Sequence, residues 1–515
     1  MEILIKFDNN KNLLELLREK NIFLHSYCGG SNSKCGKCKI KIKDLNFLLT
    51  DEDKLHLSKE ETEEGYRLAC NIYPKEDITV IYDENYTSCD KTPDYTILSQ
   101  FFKKKEIENP KFRSGYGIAI DVGTTTIVMK ISKMSDGSLI AEDKILNPQI
   151  IYGSDVITRI SNSENHLLHM QKQIVNSINL LFRNLILKHS LFRDSLINNS
   201  VFDNEYFSFV ISGNTTMMHI LNGFSLESLG VFPFSPITLQ YKVESPKNLI
   251  LDFNQGEIKI IPGISTFVGG DILSGIYYTE LYKNEKVSIL LDLGTNGEIA
   301  IGNKDKIIVT STAAGPAFEG GNIQCGIGSI NGAICGAEYI KGDFIFKTIN
   351  DTSAKGICGT GIIDIISIFS SEKLIDKTGR FNENNCHRIN LIGDETFITQ
   401  KDIREFQLAK SAIRTGIELA IESFGVNKNE IETIYLAGGF GSTVNLKSFF
   451  NLGIIPEELE DKVVIAGNTS MAGAIKAIYD PDYEIEIGKI IEKSSELNLA
   501  ENENFNDCFA EYMFF

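Results

Sequence analysis

The sequence predicts an α+β multidomain protein, with a small cysteine-rich domain at its N-terminus and a larger α/β region after it. Four cysteines stand within the first 70 residues, and an apolar hairpin with an Asp-x-Gly-Thr turn occurs twice in the later part of the chain. Helical segments lie between these hairpins, at 170–189 and 408–424. A chain of 515 residues is too long for one ordinary core, so several folding units are expected.

Changes in composition suggest where these units begin and end. Residues 1–85 contain the cysteine cluster and form the first predicted domain. Residues 86–114 are polar and lysine-rich with little apolar periodicity, which predicts a linker. The two halves of the α/β region are predicted at 115–283 and 284–480, and residues 481–515 are expected to form a C-terminal tail that packs on them.

The charge and the apolar pattern limit the environment of the protein. A net charge of -18 and a pI near 5.0 argue against a nucleic acid or an anionic membrane as partner. No run of about 18 apolar residues is long enough to span a bilayer. The start, MEILIKFDNN, lacks the pattern of a signal peptide. We therefore expect a cytoplasmic protein, in which clustered cysteines are better explained as metal ligands than as disulfides.

The four early cysteines have a spacing typical of an iron-sulfur site. Cys28, Cys35 and Cys38 stand in CGGSNSKCGKC, and Cys70 ends GYRLAC. Plant-type ferredoxins hold a 2Fe-2S cluster with three cysteines in a compact loop and a remote fourth. Structural zinc is an alternative, but its ligands usually come as two close pairs, whereas Cys28 and Cys70 stand alone. The pattern favours a 2Fe-2S cluster over zinc or unligated thiols.

Two hairpin turns carry the groups that a phosphate chain needs, namely backbone N–H groups, small residues, hydroxyls and a carboxylate that holds Mg²⁺ through water. The first turn contains Asp121, Gly123, Thr124, Thr125 and Thr126, and the second contains Asp292, Gly294, Thr295, Asn296 and Gly297. One such turn also closes ordinary hairpins, so the duplication is what favours a nucleotide site. The P-loop and dinucleotide-binding fingerprints are missing.

Paired Asp-x-Gly-Thr hairpins, together with a strand that runs into a Gly-Gly turn at 434–442, resemble the acetate and sugar kinase, heat-shock chaperone and actin (ASKHA) superfamily. The resemblance implies a two-lobed actin-like ATPase fold that binds ATP and Mg²⁺, with the two turns as its phosphate loops. It also implies that Gly438, Gly439 and Gly441 contact the adenosine, where bare backbone lets a base or ribose approach closely.

Further motifs narrow the resemblance. They are NPQIIYGSDVITRI at 147–160, SGNTTMMH at 212–219, STAAGPAFEGG at 311–321, GICGTGIIDII at 356–366 and AGNTSMAGA at 466–474. With the cysteine motifs they resemble the reductive activators of corrinoid proteins over almost the whole chain. This resemblance implies an N-terminal β-grasp 2Fe-2S ferredoxin-like domain fused to the ATPase. The loop departs from the family pattern, because one additional residue separates Cys28 from Cys35.

The resemblance also implies a function and partners. An electron would pass from the cluster to an inactive Co(II) corrinoid protein of a methyltransferase system, under control of ATP, and so regenerate Co(I). An upstream low-potential electron donor is implied, and a homodimer is left open. Two other functions also stay open, namely a redox-regulated small-molecule kinase of the same fold and a nucleotide-binding electron-transfer scaffold without turnover.

Two further carboxylates, Glu319 and Glu298, are the best placed by sequence to orient water or metal, although each could cap a helix or pair with a lysine. With Asp121 and Asp292, Glu319 completes the predicted catalytic set. Asp155 and Arg159 stand four residues apart on a predicted helix, where a surface ion pair is expected.

Overall fold

The computed structural model describes residues 2–6, 8, 11–20, 22, 24, 36, 38–43, 49–81, 115–153, 155–188, 206–241, 256–382, 387–439 and 444–515. The predicted linker at 86–114 lies outside these residues. Within the described chain, no helix has the length and apolar character needed to cross a bilayer.

The N-terminal domain is built on a four-stranded antiparallel sheet in the order β1-β4-β2-β3. The strands are β1 (Glu2–Ile5), β2 (Lys39–Ile42), β3 (Tyr66–Leu68) and β4 (Ile78–Ile81), and the helices are α1 (Leu13–Glu19), α2 (Asp51–His56) and α3 (Lys59–Glu63). Leucines at successive helical turns of α1, among them Leu13 and Leu17, are fully buried in the core of this domain. The amphipathic helix predicted for LLELLREK therefore covers the sheet.

The next sheet has five strands in the order β7-β6-β5-β8-β9. Its strands are β5 (Tyr116–Val122), β6 (Thr126–Lys133), β7 (Leu139–Leu146), β8 (Phe207–Gly213) and β9 (Gly256–Ile260), and the helices of this lobe are α4 (Val156–Lys188), α5 (Thr215–Asn222), α6 (Glu227–Gly230) and α7 (Gly270–Thr279). Strands β5 to β7 are antiparallel, whereas β8 pairs parallel with β5, and β9 parallel with β8.

The second lobe has a six-stranded sheet in the order β19-β18-β10-β11-β12-β20. The strands of this lobe are β10 (Val287–Leu293), β11 (Gly297–Gly302), β12 (Ile307–Thr312), β13 (Ala333–Ile340), β14 (Asp343–Thr348), β15 (Gly356–Ile357), β16 (Arg388–Ile392), β17 (Thr396–Thr399), β18 (Ile431–Gly438), β19 (Val463–Gly467) and β20 (Ser494–Glu496). Its helices are α8 (Gly359–Ser371), α9 (Gln400–Phe424), α10 (Leu446–Asn451), α11 (Thr469–Tyr479), α12 (Tyr483–Lys493) and α13 (Phe505–Glu511).

The two large sheets repeat one topology. In each, an antiparallel hairpin is followed by a third antiparallel strand, and two later strands add in parallel on the other side of the first strand. The hairpins β5–β6 and β10–β11 turn at the two Asp-x-Gly-Thr motifs. This duplication confirms the predicted fold class, because it reproduces the two related halves of an actin-like fold.

The last residues of the chain pack on the second lobe. Strand β20 pairs with β12 at the edge of the sheet. Further on, Gln407 on α9 donates through Nε2 to the carbonyl of Met513 at 2.6 Å, and Lys410 donates through Nζ to the carbonyl of Tyr512 at 2.8 Å. Residues 494–515 thus cover one side of α9.

Helices α7 and α11 lie against each other between the two sheets. They share a core with β5 and β8 of the first lobe and with β10 and β11 of the second. Their backbones approach closely, because a Cβ added at Gly473 would lie 2.3 Å from the Ser274 carbonyl oxygen. The two lobes are therefore joined through a pair of helices whose contact depends on small residues.

Two helical glycines test this close approach. Gly473→Ala should lower the free energy of unfolding by about 1–3 kcal/mol, because the methyl group forces α7 and α11 apart. Gly488 is the matched control, since it lies exposed on α12 with no atom within 4 Å of an added Cβ. Gly488→Ala should instead raise stability by about 0.5–1 kcal/mol through helix propensity. Thermal melts of both variants measure this, and equal melting temperatures would contradict the close contact.

Candidate functional site

The two hairpin turns face one cleft of about 420 Å³ between the lobes. The sequence-predicted residues that line it are Asp121, Gly123, Thr124, Thr125, Thr126, Asp292, Gly294, Thr295, Asn296, Glu319, Gly438 and Gly439. Gly297 is not among the lining residues, because it begins β11 and packs against Thr312 and Ile413. Gly441 lies outside the described residues.

Each turn is closed by a hydrogen bond from its glycine, but the first turn is one residue longer than the second. Gly123 N–H donates to the Thr126 carbonyl at 3.0 Å, and Gly294 N–H donates to the Asn296 carbonyl at 3.0 Å. Each turn therefore folds tightly and presents its hydroxyl side chains to the cleft.

Glu319 joins the two turns from the far wall of the cleft. Its Oε2 accepts from Thr295 Oγ1 at 2.6 Å and lies 3.5 Å from Thr125 Oγ1. Glu319 is the last residue of a short 3₁₀ turn at Pro316–Glu319, and among the contacts of the described residues it neither caps a long helix nor pairs with a lysine. The structure therefore gives neither of these two structural roles to Glu319, and its role in orienting water or metal stays a prediction.

Asp121 is held by residues that the sequence analysis did not select. One carboxylate oxygen accepts from Asn468 Nδ2 at 2.8 Å and the other accepts from Ser470 Oγ at 2.8 Å. Both donors stand at the start of α11, where Asn468 is the N-cap. A signal existed in the sequence, because Asn468 and Asn214 occupy the same place in the similar motifs AGNTSM and SGNTTM. Asn214 likewise caps α5 and donates to Thr124 Oγ1 at 2.9 Å.

The cleft is strongly acidic. Seven carboxylates line it together with two lysines, Lys130 and Lys144; the carboxylates are Asp121, Glu142, Asp143, Asp271, Asp292, Glu298 and Glu319. Asp292 and Glu298 are cross-strand partners in the β10–β11 hairpin. Asp271, in the first turn of α7, was not among the residues predicted from the sequence.

Burial and mutual repulsion disfavour the charged forms of these acids. The pKa of Asp292 is raised to about 8, first by burial and then by the charges of Asp271, Asp121 and Glu319. Burial and the charge of Asp121 raise the pKa of Asp271 to about 7. The pKa of Glu298 is likewise raised by burial and by Asp271 and Asp292. Such an excess of oxygen ligands and negative charge fits a hard cation like Mg²⁺.

A cation there would be held mainly through water. Within the described part of the chain, no three His, Cys, Asp or Glu side chains are close enough to bind a metal ion together. Mg²⁺ commonly keeps several of its waters and is held by one or two carboxylates and substrate phosphates. Asp121, Asp292 and Glu319 are the residues that would hold it.

Beside the second turn, where β18 pairs with β10, the lining of the cleft requires glycine. Gly438 has φ +111°, and a Cβ added there would lie 2.2 Å from the Leu293 carbonyl oxygen. A Cβ at the neighbouring Gly439 would meet nothing within 4 Å. The backbone of Gly439 is thus open, as a surface that receives a flat ring requires.

The cysteine site is described in part. Cys28 and Cys35 lie outside the described residues. Cys38 and Cys70 are both buried, and they are close because Ala69 N–H donates to the Cys38 carbonyl at 2.9 Å where β2 and β3 pair. Gly36 has φ +62°, and a Cβ there would lie 2.6 Å from the ring of His56. This tight left-handed turn fits a loop wrapped closely around a cluster.

The expectation of a surface ion pair between Asp155 and Arg159 is wrong. Arg159 is 0% exposed, and its Nη2 donates to the Thr124 carbonyl at 2.5 Å. Asp155 instead accepts from the N–H and the hydroxyl of Thr158, each at 2.8 Å. Helical spacing predicted a shared surface position, but the Arg159 side chain points inward to the Thr124 carbonyl, although its neighbours Ile157 and Thr158 are exposed.

The raised pKa of Asp292 predicts how the stability of the protein depends on pH. The folded pKa of Asp292, about 8, lies above its ordinary value of 3.8, so between these values the folded state binds a proton that the unfolded chain does not. Stability without nucleotide and Mg²⁺ therefore falls as pH rises towards 8. Asp292→Asn removes this effect and should melt about 2–4 °C above the unchanged protein at pH 9, with a smaller difference at pH 6.

The matched control for this experiment is Asp305→Asn, which changes an exposed aspartate of the same lobe. It should leave the melting temperature nearly unchanged at both pH values, measured in EDTA. An Asp292→Asn variant that is less stable than the unchanged protein at pH 9 would contradict the electrostatic argument.

Comparisons with known protein families match three parts of the chain. Residues 2–75 match the 2Fe-2S iron-sulfur cluster binding domain, residues 116–284 match the RACo middle region, and residues 286–515 match the C-terminal domain of RACo, the ASKHA domain. The matches follow the chain in the order that the resemblance implied. They confirm a ferredoxin-like domain fused to an ASKHA domain.

Individual relatives agree with these families. The corrinoid activation enzyme RamQ of Eubacterium limosum is 28% identical over 529 residues, which cover 88% of this chain and 87% of RamQ. The [Co(II) methylated amine-specific corrinoid protein] reductase of Methanosarcina barkeri is 30% identical over 280 residues, covering 49% of this chain and 50% of the reductase. The solved structure of a reductive activator for corrinoid, iron-sulfur protein is similar with a TM-score of 0.70 and 25% identity, covering 99% of this chain and 96% of that one. The chain therefore belongs to the family of reductive activators of corrinoid proteins.

Proposed function

We propose that this chain uses ATP to drive the one-electron reduction of an inactive Co(II) corrinoid protein to Co(I), with a 2Fe-2S cluster in its N-terminal domain as the electron donor. The observation that supports this most directly is the fusion of a ferredoxin-like domain to an ASKHA domain in one chain of this family. The acceptor would belong to a methyltransferase system, and an upstream low-potential protein would reduce the cluster.

The reaction needs a second, favourable process. Each deficit of about 59 mV in potential lowers the equilibrium yield of a one-electron transfer tenfold. ATP can overcome such a deficit if its binding or hydrolysis changes the affinity of the protein for its Co(II) and Co(I) partners. An enzyme of this kind therefore needs a nucleotide site that is mechanically linked to the rest of the molecule.

The contacts of Asp121 supply a candidate link. Asp121 lies on β5 of the first lobe, and its two donors, Asn468 and Ser470, lie at the start of α11, which packs on α7 between the sheets. Ser470 Oγ also lies 2.9 Å from Ser212 Oγ, which lies 2.9 Å from Ser274 Oγ on α7. A change in charge or ligation at Asp121 would thus act on both helices that join the lobes.

We assign roles to the remaining residues on the same basis. The 123–126 and 294–296 turns bind the phosphates, and Gly438, Gly439 and Gly441 face the adenosine. Asp121, Asp292 and Glu319 would hold Mg²⁺ through water, and Glu319, beside the Thr125 and Thr295 hydroxyls, would orient the attacking water. Mg²⁺, when bound, neutralises the charge of the phosphates. Cys28, Cys35, Cys38 and Cys70 ligate the cluster.

The cysteine assignment is tested by anaerobic purification. Cys70→Ser should remove most of the iron and the brown colour, because a 2Fe-2S cluster needs four protein ligands. Cys325→Ser is the control, since Cys325 lies half-buried in the second lobe, far along the chain from the cluster motif. It should keep about two irons and two sulfides per chain. Zinc instead of iron in the unchanged protein would overturn the assignment.

The coupling itself is tested with a pre-reduced cluster and a competent Co(II) corrinoid protein. The absorbance of Co(I) should rise much further with Mg-ATP than without nucleotide, because ATP shifts the transfer only by interacting differently with the states before and after it. Asp292→Asn, which keeps the shape of the side chain but loses its charge, should reduce both ATP turnover and the Co(I) yield at least about tenfold.

The controls separate the alternatives. A non-hydrolysable ATP analogue that supports Co(I) formation would show that binding suffices. The same Co(I) yield with and without ATP would contradict the proposal and favour a scaffold, whereas release of ADP that depends on a small metabolite and needs no partner protein would favour a kinase.

A further inference from the structure

The segment NPQIIYGSDVITR at 147–159 lies directly behind the first phosphate loop, and neither the cluster nor the roles assigned above account for it. It begins where β7 ends, forms a 3₁₀ turn at Pro148–Tyr152, and continues into the first turn of α4. Three of its polar side chains, those of Asn147, Gln149 and Arg159, are 0% exposed. Burial of three strongly polar groups in one short segment needs an explanation.

Two of these residues bind three successive carbonyls of the loop, those of Gly123, Thr124 and Thr125. The Gly123 carbonyl accepts from Asn147 Nδ2 at 2.8 Å, and the Thr125 carbonyl accepts from Asn147 N–H at 2.8 Å. Between them, the Thr124 carbonyl accepts from Arg159 Nη2 at 2.5 Å. Three successive peptide groups are therefore fixed by hydrogen bonds from the same side.

The geometry of the trans peptide links the direction of these carbonyls to the direction of the N–H groups of the loop. In a trans peptide the C=O and the following N–H point in opposite directions. Carbonyls held towards Asn147 and Arg159 thus turn the N–H groups of Thr124, Thr125 and Thr126 the other way. These three threonines line the cleft, whereas Asn147 and Arg159 are not among its described lining residues. Successive N–H groups that converge on one side form an anion-binding concavity.

Arg159 also brings a charge to this place. Its other described hydrogen bonds go to neutral groups, with Nε donating to the Gly153 carbonyl at 2.9 Å and Nη1 to Gln149 Oε1 at 3.4 Å. Burial disfavours the charged form and lowers the pKa of Arg159 to about 9, while the nearby charge of Asp155 acts in the opposite direction. The guanidinium reaches the Thr124 carbonyl from the side of the loop that faces away from the cleft. Its positive charge favours an anion on the cleft side of the loop.

We propose that Asn147 and Arg159 are positioning residues for the triphosphate: they hold three peptide groups of the 123–126 loop with their N–H groups directed at the phosphates. The inference rests on the proposed binding of ATP in this cleft. Neither residue contacts the nucleotide itself. The adenosine is assigned to Gly438 and Gly439, which belong to the other lobe.

The test compares ligands with and without phosphates. For Arg159→Gln, we expect the Kd of Mg-ATP to rise about tenfold or more, that of ADP to rise less, and that of adenosine to change less than about twofold. Arg159→Lys should recover part of the affinity, because it keeps the charge but loses the forked geometry. Arg183→Gln, an exposed arginine on the same helix, is the matched control and should bind all three ligands normally.

A second variant keeps the test decisive if Arg159→Gln yields too little folded protein. Asn147→Asp is isosteric and retains the oxygen that accepts from Gln149 N–H at 3.1 Å, but it turns the donor to Gly123 into an oxygen that repels the carbonyl. The same loss confined to phosphate-bearing ligands is expected.

The binding measurements distinguish failure of this inference from failure of the proposed function. If the unchanged protein does not bind Mg-ATP, the proposed function fails and this inference fails with it. If the unchanged protein binds Mg-ATP, equal affinity in Arg159→Gln or Asn147→Asp would overturn the inference alone. Parallel loss of ATP and adenosine would also overturn it, because that result would indicate a general role in folding.

Discussion

The cleft depends on the way in which Asp121 is held between the two lobes. Its carboxylate leaves the end of β5 and accepts hydrogen bonds from Asn468 and Ser470 at the start of α11. Since α11 packs on α7 through Gly473 and shares a core with strands of both sheets, this one carboxylate connects the phosphate site to the helices that join the lobes. The duplicated topology supplies the lobes, but these hydrogen bonds determine how closely the two phosphate turns face each other.

The second constraint is electrostatic. Seven carboxylates against two lysines make the cleft unfavourable without a cation, and burial raises the pKa of Asp292 and Asp271 towards neutral pH. A nucleotide brings further negative charge, so ATP and a divalent cation are expected to bind together. We infer an exception at the 123–126 loop, whose backbone N–H groups are proposed to face the cleft, because the Arg159 guanidinium donates to the Thr124 carbonyl from behind it. The site thus combines a strong demand for a cation with one anion-binding loop, which is the combination that a Mg-nucleotide satisfies.

Much of this site was predictable, because its parts are local. An Asp-x-Gly-Thr turn between apolar strands is a hairpin whatever surrounds it, and its repetition indicated two related halves. The spacing of Cys28, Cys35, Cys38 and Cys70 indicated a ferredoxin-like loop for the same reason. The predictions that went wrong or were absent concern pairs distant in sequence. Arg159 was assigned to the surface because a spacing of four residues says which face two side chains share, not what that face packs against. Gly297 was grouped with the phosphate turn, yet its neighbours Thr312 and Ile413 come from other elements.

The sequence by itself therefore determined the order of domains and the two Asp-x-Gly-Thr hairpins, since each rests on local patterns. The phosphate, adenosine and cluster-ligand roles of the motif residues stay predictions. Only the tertiary structure decided that Asp271 and Glu298 join Asp121 and Asp292, that Asn468 and Ser470 hold Asp121, and that Asn147 and Arg159 hold the loop from behind. These contacts join residues up to 349 positions apart. Their geometry follows from how sheets and helices pack, and that packing is a property of the whole folded chain rather than of any segment within it.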